Sequence, residues 1–188
     1  MQSPAEDQKA NLNNALRSVF LRSGYAGASV ARLAAATELG KASLYHYFPG
    51  GKEEMGRSLV REAVAHLQQR VFSQLGRGSN PVEAICLTID AFSDYVEGGA
   101  QNCLIAQFSQ ENAPVIEQEQ IRSQFEEWQR QLASRYEDMD LKPKAALRAA
   151  RKLTATLYGH LLLANLLGDP KEFRRGVKRL KAELIEQS

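Results

Sequence analysis

The sequence predicts an all-α fold of about nine helices. Apolar residues recur at spacings of three and four along almost the whole chain of 188 residues, and no segment shows the alternation that is typical of strands. Proline, glycine and short polar residues divide this pattern into segments, because they favour the ends of helices over their interiors.

The first three predicted helices are short or end sharply. The first carries an apolar stripe and stops near Ser23-Gly24, the second runs from a cap at Ser29 to Thr37, and the third runs from Lys41 to Phe48. LYHYF alone favours a strand, but the Pro49-Gly50-Gly51 stop and the helical neighbours favour a helix. The stripe of the first helix consists of Leu12, Leu16, Val19 and Phe20.

Six further helices follow. The fourth is predicted over Lys52–Leu75, with apolar residues at every fourth position, and the fifth begins at a capping box of Asn80, Pro81 and Glu83. The remaining helices are predicted over Cys103–Ser109, around the stripe Ile121–Tyr136, over Ala145–Leu167 and, after a cap at Asp169, over Pro170–Ile185. Ala145–Leu167 is apolar on more than one side, which predicts burial on more than one side.

Composition sets only broad bounds on function. With 44% hydrophobic and 24% charged residues and a net charge of +2, the chain is that of a globular protein, and its charge permits DNA binding without requiring it. The amino terminus lacks a secretory signal, and the apolar stretch Leu157–Leu167 is shorter than the ~20 residues of a membrane span, so a cytoplasmic protein is expected. Cys86 and Cys103 are expected as thiols.

Neither a metal site, a cofactor nor an enzymatic activity is predicted. The three histidines have no metal-ligand spacing and no clustered cysteines or carboxylates, and the chain lacks a nucleophile elbow, a P-loop and a dinucleotide-binding glycine motif.

The second and third helices form a helix-turn-helix pattern. They are joined by about three residues and braced by the first helix, and in such a motif the second helix can lie in the DNA major groove. Leu44 and Phe48 are four residues apart and are expected to face inward. The other side chains of this helix then face the groove: Lys41, Ser43, Tyr45, His46 and Tyr47.

The segment Gly24–Met55, GYAGASVARLAAATELGKASLYHYFPGGKEEM, resembles the DNA-binding domain of TetR-family transcriptional regulators. Its ending, together with Asn102-Cys103-Leu104-Ile105 and Ser109-Gln110-Glu111, is most similar to the LmrA/YxaF-like branch. The resemblance implies a homeodomain-like three-helix DNA-binding domain over residues 1–55 and a helical ligand-binding and dimerisation domain over residues 56–188.

The resemblance also implies roles for individual residues. Ser29, Tyr47 and Lys52 would contact phosphate, Lys41, Ala42 and Ser43 would approach base edges, and Tyr45 and His46 would touch bases or backbone. Two positions depart from the family pattern: Glu38 stands where the family usually has glycine, and Gly40 where many members have a capping serine or threonine. Glu38 is therefore expected to strain the turn if that position needs a positive φ.

Candidate effector contacts come from the apolar stripes of the second domain, and each could equally be plain core. Cys103 has a second interpretation, because a thiolate near a helix amino terminus could sense an electrophile or an oxidant. For His160, a satisfied core or interface histidine is favoured over an effector contact. The candidates are Phe92, Tyr95, Cys103, Ile105, Phe108, Phe125, Trp128, Tyr158 and His160.

The last two helices are the predicted dimer surface, because their apolar residues exceed what one side can bury. The resemblance implies a four-helix interface. The expected contributors are Tyr158, Leu162, Asn165, Leu166, Val177 and Leu180.

Together these features predict a homodimeric repressor that binds palindromic operator DNA and is released by a small hydrophobic or aromatic molecule. Effector binding is expected to tilt the fourth helix, so that the two recognition helices no longer match successive grooves. Three alternatives stay open: a regulator that senses through Cys103, an activator, and a helical interaction module without DNA binding.

Overall fold

The computed structural model describes residues 4–186, and within them the chain forms nine α-helices and no strand. The predicted fold class is thus confirmed. The helices are α1 Pro4–Gly27, α2 Val30–Ala36, α3 Lys41–Tyr47, α4 Gly51–His66, α5 Pro81–Tyr95, α6 Leu104–Gln110, α7 Gln118–Glu137, α8 Pro143–Leu167 and α9 Pro170–Glu186.

The chain divides into two compact units, and the division does not follow the order of the sequence. The first unit is the chain up to Val64 together with Cys103–Glu117, and the second is Ala65–Asn102 with Gln118–Ser188. The functional boundary expected at residue 55 stays a prediction, since compactness does not show which residues bind DNA.

The first unit is a small helical core around α1. Leu16 and Phe20 of α1, Leu33 of α2 and Leu44 of α3 are fully buried. The regular geometry of the first helix ends at Gly24, where the sequence predicts that it stops. Gly24 breaks its helical geometry with φ 70 and ψ 174, and one further turn reaches Gly27.

The second unit packs α7 against α8 and α8 against α9. Its helix starts follow the predicted capping chemistry. The Glu83 amide donates to Asn80 Oδ1 at 2.9 Å, while the Ser79 amide donates to Glu83 Oε2 at 2.7 Å, which satisfies backbone donors at the start of α5. Asp169 likewise accepts from the Lys171 amide at 2.9 Å before α9.

The prediction of one α-helix over Lys52–Leu75 is wrong in its last third. The α-helix ends at His66, a π-helical segment covers Leu67–Val71, and a 3-10 segment covers Phe72–Gly76. Apolar residues spaced four apart drift by about 40° per step around a helix of 3.6 residues per turn. A wider π turn reduces that drift and lets Val71 and Phe72 both be buried.

Tyr136 gives the second unit a measurable dependence on alkaline pH. Burial raises the pKa of its hydroxyl from 10.0 to about 12, with the nearby Cys86 as a smaller cause. The unfolded chain ionises first, so the contribution of Tyr136 to stability is complete below about pH 10 and is lost as pH rises towards 12. A pKa difference of two units between the folded and unfolded chain corresponds to roughly 3 kcal/mol of unfolding free energy.

Between pH 10 and 12, wild type should therefore lose about 3 kcal/mol more unfolding free energy than Tyr136→Phe, which has no hydroxyl to ionise. Urea unfolding at a series of pH values would measure the difference. Parallel pH profiles of the two proteins would contradict the prediction.

Candidate DNA-binding site and second-unit aromatic cluster

The recognition helix α3 presents its polar side chains to solvent and keeps one apolar side inward. Leu44 is fully buried and Phe48, which follows the helix, is 5% exposed, so the predicted inward pair is confirmed. Tyr45 and Tyr47 are 45% and 44% exposed. The remaining members of the exposed face are Lys41, Ala42, Ser43 and His46.

Tyr45 is oriented by the glycine that begins α4. Gly51 has φ 65, and a Cβ built at this position would lie 3.3 Å from Cε1 of Tyr45. A side chain there would be strained and would crowd the ring. Gly51 therefore lets the phenol lie against the backbone at the start of α4 while its surface stays open to a ligand.

The first helix of the motif begins as predicted at Ser29. Its hydroxyl accepts from the Arg32 amide at 3.3 Å, which is the capping contact that starts α2. Arg32 is exposed one turn after Ser29, so the two side chains share a helix face. This cation was not among the predicted contacts, although a basic residue one turn after a cap is visible in the sequence.

Lys52 is held inside the first unit. Its ammonium donates to the Tyr25 carbonyl at 2.8 Å and lies 4.4 Å from the centre of the Tyr25 ring. An ammonium has three donors, so this contact leaves two for other acceptors. Its contact with phosphate stays a prediction.

The turn between α2 and α3 contains the strain that the sequence suggested. Glu38 has φ 58, a left-handed conformation that costs a residue with a side chain about 1 kcal/mol or more relative to glycine. Gly40, by contrast, is the N-cap of α3 with extended backbone and no side-chain cap. Glu38 is thus the departure from the family pattern that carries an energetic cost.

Replacing Glu38 by glycine is expected to stabilise the protein by about 1 kcal/mol, because glycine adopts positive φ without the Cβ penalty. Urea unfolding would measure the change. Ala35→Gly is the matched control, since it places glycine at an exposed helical position of α2 and should cost about 1 kcal/mol. A Glu38→Gly variant no more stable than wild type would contradict the strain.

An aromatic cluster runs through the second unit. Phe92 and Tyr158 have ring centres 5.1 Å apart, Tyr158 and Phe125 are 5.9 Å apart, and Phe125 and Trp128 are 6.0 Å apart. Phe72 stacks on Trp128 at 4.6 Å. Sequence reasoning missed Phe72 because it lies off the apolar stripe of the preceding helix and reaches Trp128 only through the irregular segment.

Two polar side-chain atoms lie among the apolar side chains of the second unit. Trp128 Nε1 is buried and has no acceptor within residues 4–186. His160 Nδ1 lies 3.4 Å from Glu172 Oε1, an α8–α9 pair made possible by Gly176, where any Cβ would overlap the imidazole. A hydrogen bond from Arg175 at 2.9 Å, with a smaller effect of the nearby His160, lowers the pKa of the Glu172 carboxyl.

The nine candidate effector contacts do not share one unit. Phe92, Tyr95, Phe125, Trp128, Tyr158 and His160 lie in the second unit, whereas Cys103, Ile105 and Phe108 lie in the first. Phe108 packs edge-on against Phe20 and Tyr25, with ring centres 5.3 and 5.4 Å away. The six residues of the second unit are the stronger candidates for one effector site.

The end of α8 exposes an apolar patch, which consists of Leu162, Leu163, Leu166 and Leu167. Asn165 lies among them and donates to the Leu161 carbonyl at 2.7 Å. Val177 and Leu180 of α9, also predicted for the dimer interface, are each 8% exposed and keep little surface for a partner. Leu162 and Leu166 of this leucine patch are predicted interface residues, whereas Leu163 and Leu167 are not, and the patch keeps far more surface for a partner to bury than Val177 and Leu180 do.

No helix over residues 4–186 combines the length and apolar character needed to cross a membrane. The same residues contain no group of three or more histidine, cysteine, aspartate or glutamate side chains placed to hold a metal ion.

The exposed α3, its buried anchor and the capped α2 define a helix-turn-helix DNA-binding protein. Residues 13–59 match the family model described as bacterial regulatory proteins, tetR family. The HTH-type transcriptional regulator Rv0196 of Mycobacterium tuberculosis is 30% identical over 167 residues, covering 79% of this chain and 81% of that protein. This chain belongs to the tetR family, and it is a DNA-binding transcriptional regulator.

Two other comparisons agree with this assignment. The HTH-type transcriptional regulator LmrA of Bacillus subtilis is 23% identical over 164 residues, 84% of this chain and 86% of LmrA, which confirms the predicted resemblance. A TetR transcriptional regulator from Legionella pneumophila has the same fold, with a TM-score of 0.77, 23% identity and 97% of both chains covered.

Proposed function

We propose that this protein is a repressor that binds palindromic operator DNA as a homodimer and is released by a small hydrophobic or aromatic effector in the carboxy-terminal domain, residues 56–188. The proposal rests on the exposure of α3. This short helix is anchored by the buried Leu44, and its other six side chains, those of residues 41–43 and 45–47, are exposed to solvent. Lys41 supplies positive charge, and Ser43, Tyr45 and His46 supply hydrogen-bonding groups for base edges and phosphates.

The dimer part of the proposal is supported by the leucine patch of α8. One recognition helix buries too little surface for selective binding, so two copies are needed about 34 to 36 Å apart on the duplex. The four exposed leucines of the patch would be covered by the same patch of a second copy, as the self-complementary interface of a two-fold dimer requires.

The effector part is supported by the aromatic cluster. Phe125 and Tyr158 are only half-buried, so their rings keep surface that a flat apolar molecule could cover. An effector must bind the low-affinity state of the regulator more tightly than the DNA-bound state, by about 1 to 3 kcal/mol in typical cases.

Direct thiol sensing has weaker support than effector binding. Cys103 is fully buried, which leaves an electrophile no surface to approach. Reactive cysteines typically combine exposure with an electropositive environment. We therefore prefer reversible effector binding to chemistry at Cys103.

Selection of DNA from a random-sequence duplex library tests the operator proposal. The enriched duplexes should contain two inverted half-sites whose centres lie about one helical turn apart. Enrichment of single half-sites, or of no sequence, would contradict it.

The selected duplex then serves to find the effector. A library of small aromatic compounds should include molecules that lower its affinity for the protein, and a matched set of sugars and amino acids should not. Phe125→Ala and Tyr158→Ala should weaken the response while leaving DNA binding without effector unchanged. Equal responses in wild type and both variants would remove the cluster as the site.

A further inference from the structure

The chain turns between α1 and α2 over residues 24–28, which we call the corner. A side chain from a distant part of the sequence contacts this corner. The Ala26 amide donates to Glu111 Oε2 at 3.0 Å, a contact that joins residues 85 positions apart. Glu111 directly follows α6. Both residues belong to the first compact unit.

Gly24 shapes the backbone to accept this carboxylate. Its φ of 70 and ψ of 174 fall in a region that is essentially restricted to glycine. A Cβ added at Gly24 would overlap Glu111, so the carboxylate approaches the chain through space that only glycine leaves open. The conformation and the missing side chain therefore favour the same contact.

The helix that carries Glu111 is fixed beside the corner by two further contacts. Phe108 of α6 packs edge-on against Phe20 and Tyr25 of α1. Gln107 Nε2 donates to the Phe20 carbonyl at 3.3 Å. These contacts place the end of α6 beside the corner, from where the exposed Glu111 side chain reaches the Ala26 amide.

The corner determines where the helix-turn-helix motif begins. Two residues after Ala26, the amide of the buried Ala28 donates to the Gly24 carbonyl at 3.2 Å. Ser29 follows and caps α2. A displacement of the corner would therefore shift the start of α2, and α2 carries α3 through a turn of only four residues.

We propose that Glu111 is a positioning residue for DNA binding: its carboxylate fixes the α1–α2 corner and so places Ser29 and the recognition helix for the groove. Glu111 itself contacts no DNA in this proposal. The inference depends on the DNA-binding function of the chain and not on repression or on an effector.

The test compares Glu111→Ala, Glu111→Gln and Glu117→Ala. Glu117 is the matched control, because it is an exposed glutamate of the same segment whose loss changes the charge equally but breaks only a 3.4 Å pair with Arg57. The probe is the duplex that wild type enriches from a random-sequence library, with an unrelated duplex of equal length as the reference. Amide exchange at Ala26 and the melting temperature are measured on the same samples.

Glu111→Ala should bind the selected duplex about tenfold more weakly, with faster exchange at Ala26 and an unchanged melting temperature. Glu111→Gln should recover most of the affinity, since its amide oxygen can accept the same hydrogen bond. Glu117→Ala should stay within twofold of wild type.

Three results would overturn the proposal. A Glu111→Ala protein that binds with wild-type affinity would show that Glu111 does not position the motif, and it would leave the DNA-binding proposal intact. An equal loss in Glu117→Ala would show a general charge effect, and a loss accompanied by a lower melting temperature would show a structural role only. If wild type enriches no duplex, the operator proposal fails together with this one, an outcome distinct from the other three.

Discussion

Replacing Leu166 by glutamate is expected to convert the proposed homodimer into a monomer. Leu166 is the most exposed residue of the leucine patch, at 72%. A two-fold interface over this patch would bury the new carboxylate and its symmetry mate in an apolar surface, and an unpaired buried charge costs several kcal/mol. Sedimentation velocity should show the mass halved, and binding to a two-half-site duplex should weaken by at least a hundredfold.

The control for this variant is Ser134→Glu, which adds the same charge at an exposed position of α7. It should leave both the mass and the DNA affinity unchanged. A Leu166→Glu protein with the mass of wild type would show that the patch is not the interface. A monomer that binds the duplex as tightly as wild type would show that DNA recognition needs no dimer.

Lys41→Ala is expected to produce the second large effect, a loss of DNA affinity of about tenfold or more at low salt. Lys41 is the first residue of α3 and is exposed, so its ammonium can reach a phosphate or a guanine edge. If Lys41 of each protomer neutralises one DNA phosphate, its loss should make the negative slope of log affinity against log salt shallower by about two for the dimer.

Lys144→Ala removes the same charge from an exposed position of α8 and serves as the matched control. Tyr45→Phe removes only a hydroxyl from the recognition helix and should weaken binding less than Lys41→Ala. Equal affinity in Lys41→Ala and Lys144→Ala would argue that α3 does not contact DNA. Such a result would favour a helical interaction module on the same fold.

Local chemistry made most of the helices predictable. The caps at Ser29, Asn80 and Asp169 use hydrogen bonds between residues two or three positions apart, so the sequence contains both partners of each contact. The π-helical segment Leu67–Val71 has no such local signature. It depends on the packing of Phe72 against Trp128, and these residues lie far apart in the sequence.

The same distinction separates the predictable from the unpredictable parts of the site. Leu44 and Phe48 follow from helical spacing within one short segment. Glu111 stands out in the sequence only as part of the Ser109-Gln110-Glu111 resemblance, which says nothing of its partner, and only the folded chain brings its carboxylate to Ala26. Phe108 and Phe125 both read as buried aromatic residues, and apolar character alone could not show that they belong to different units.

Trp128 turns the aromatic cluster into an intrinsic optical probe. It is the only tryptophan of the chain, so all indole emission comes from this one position, stacked on Phe72 and edge-on to Phe125. Emission excited at the red edge of indole absorption would report changes around this ring without any attached dye. The protein thus contains its own label for testing whether a small molecule binds in the second unit.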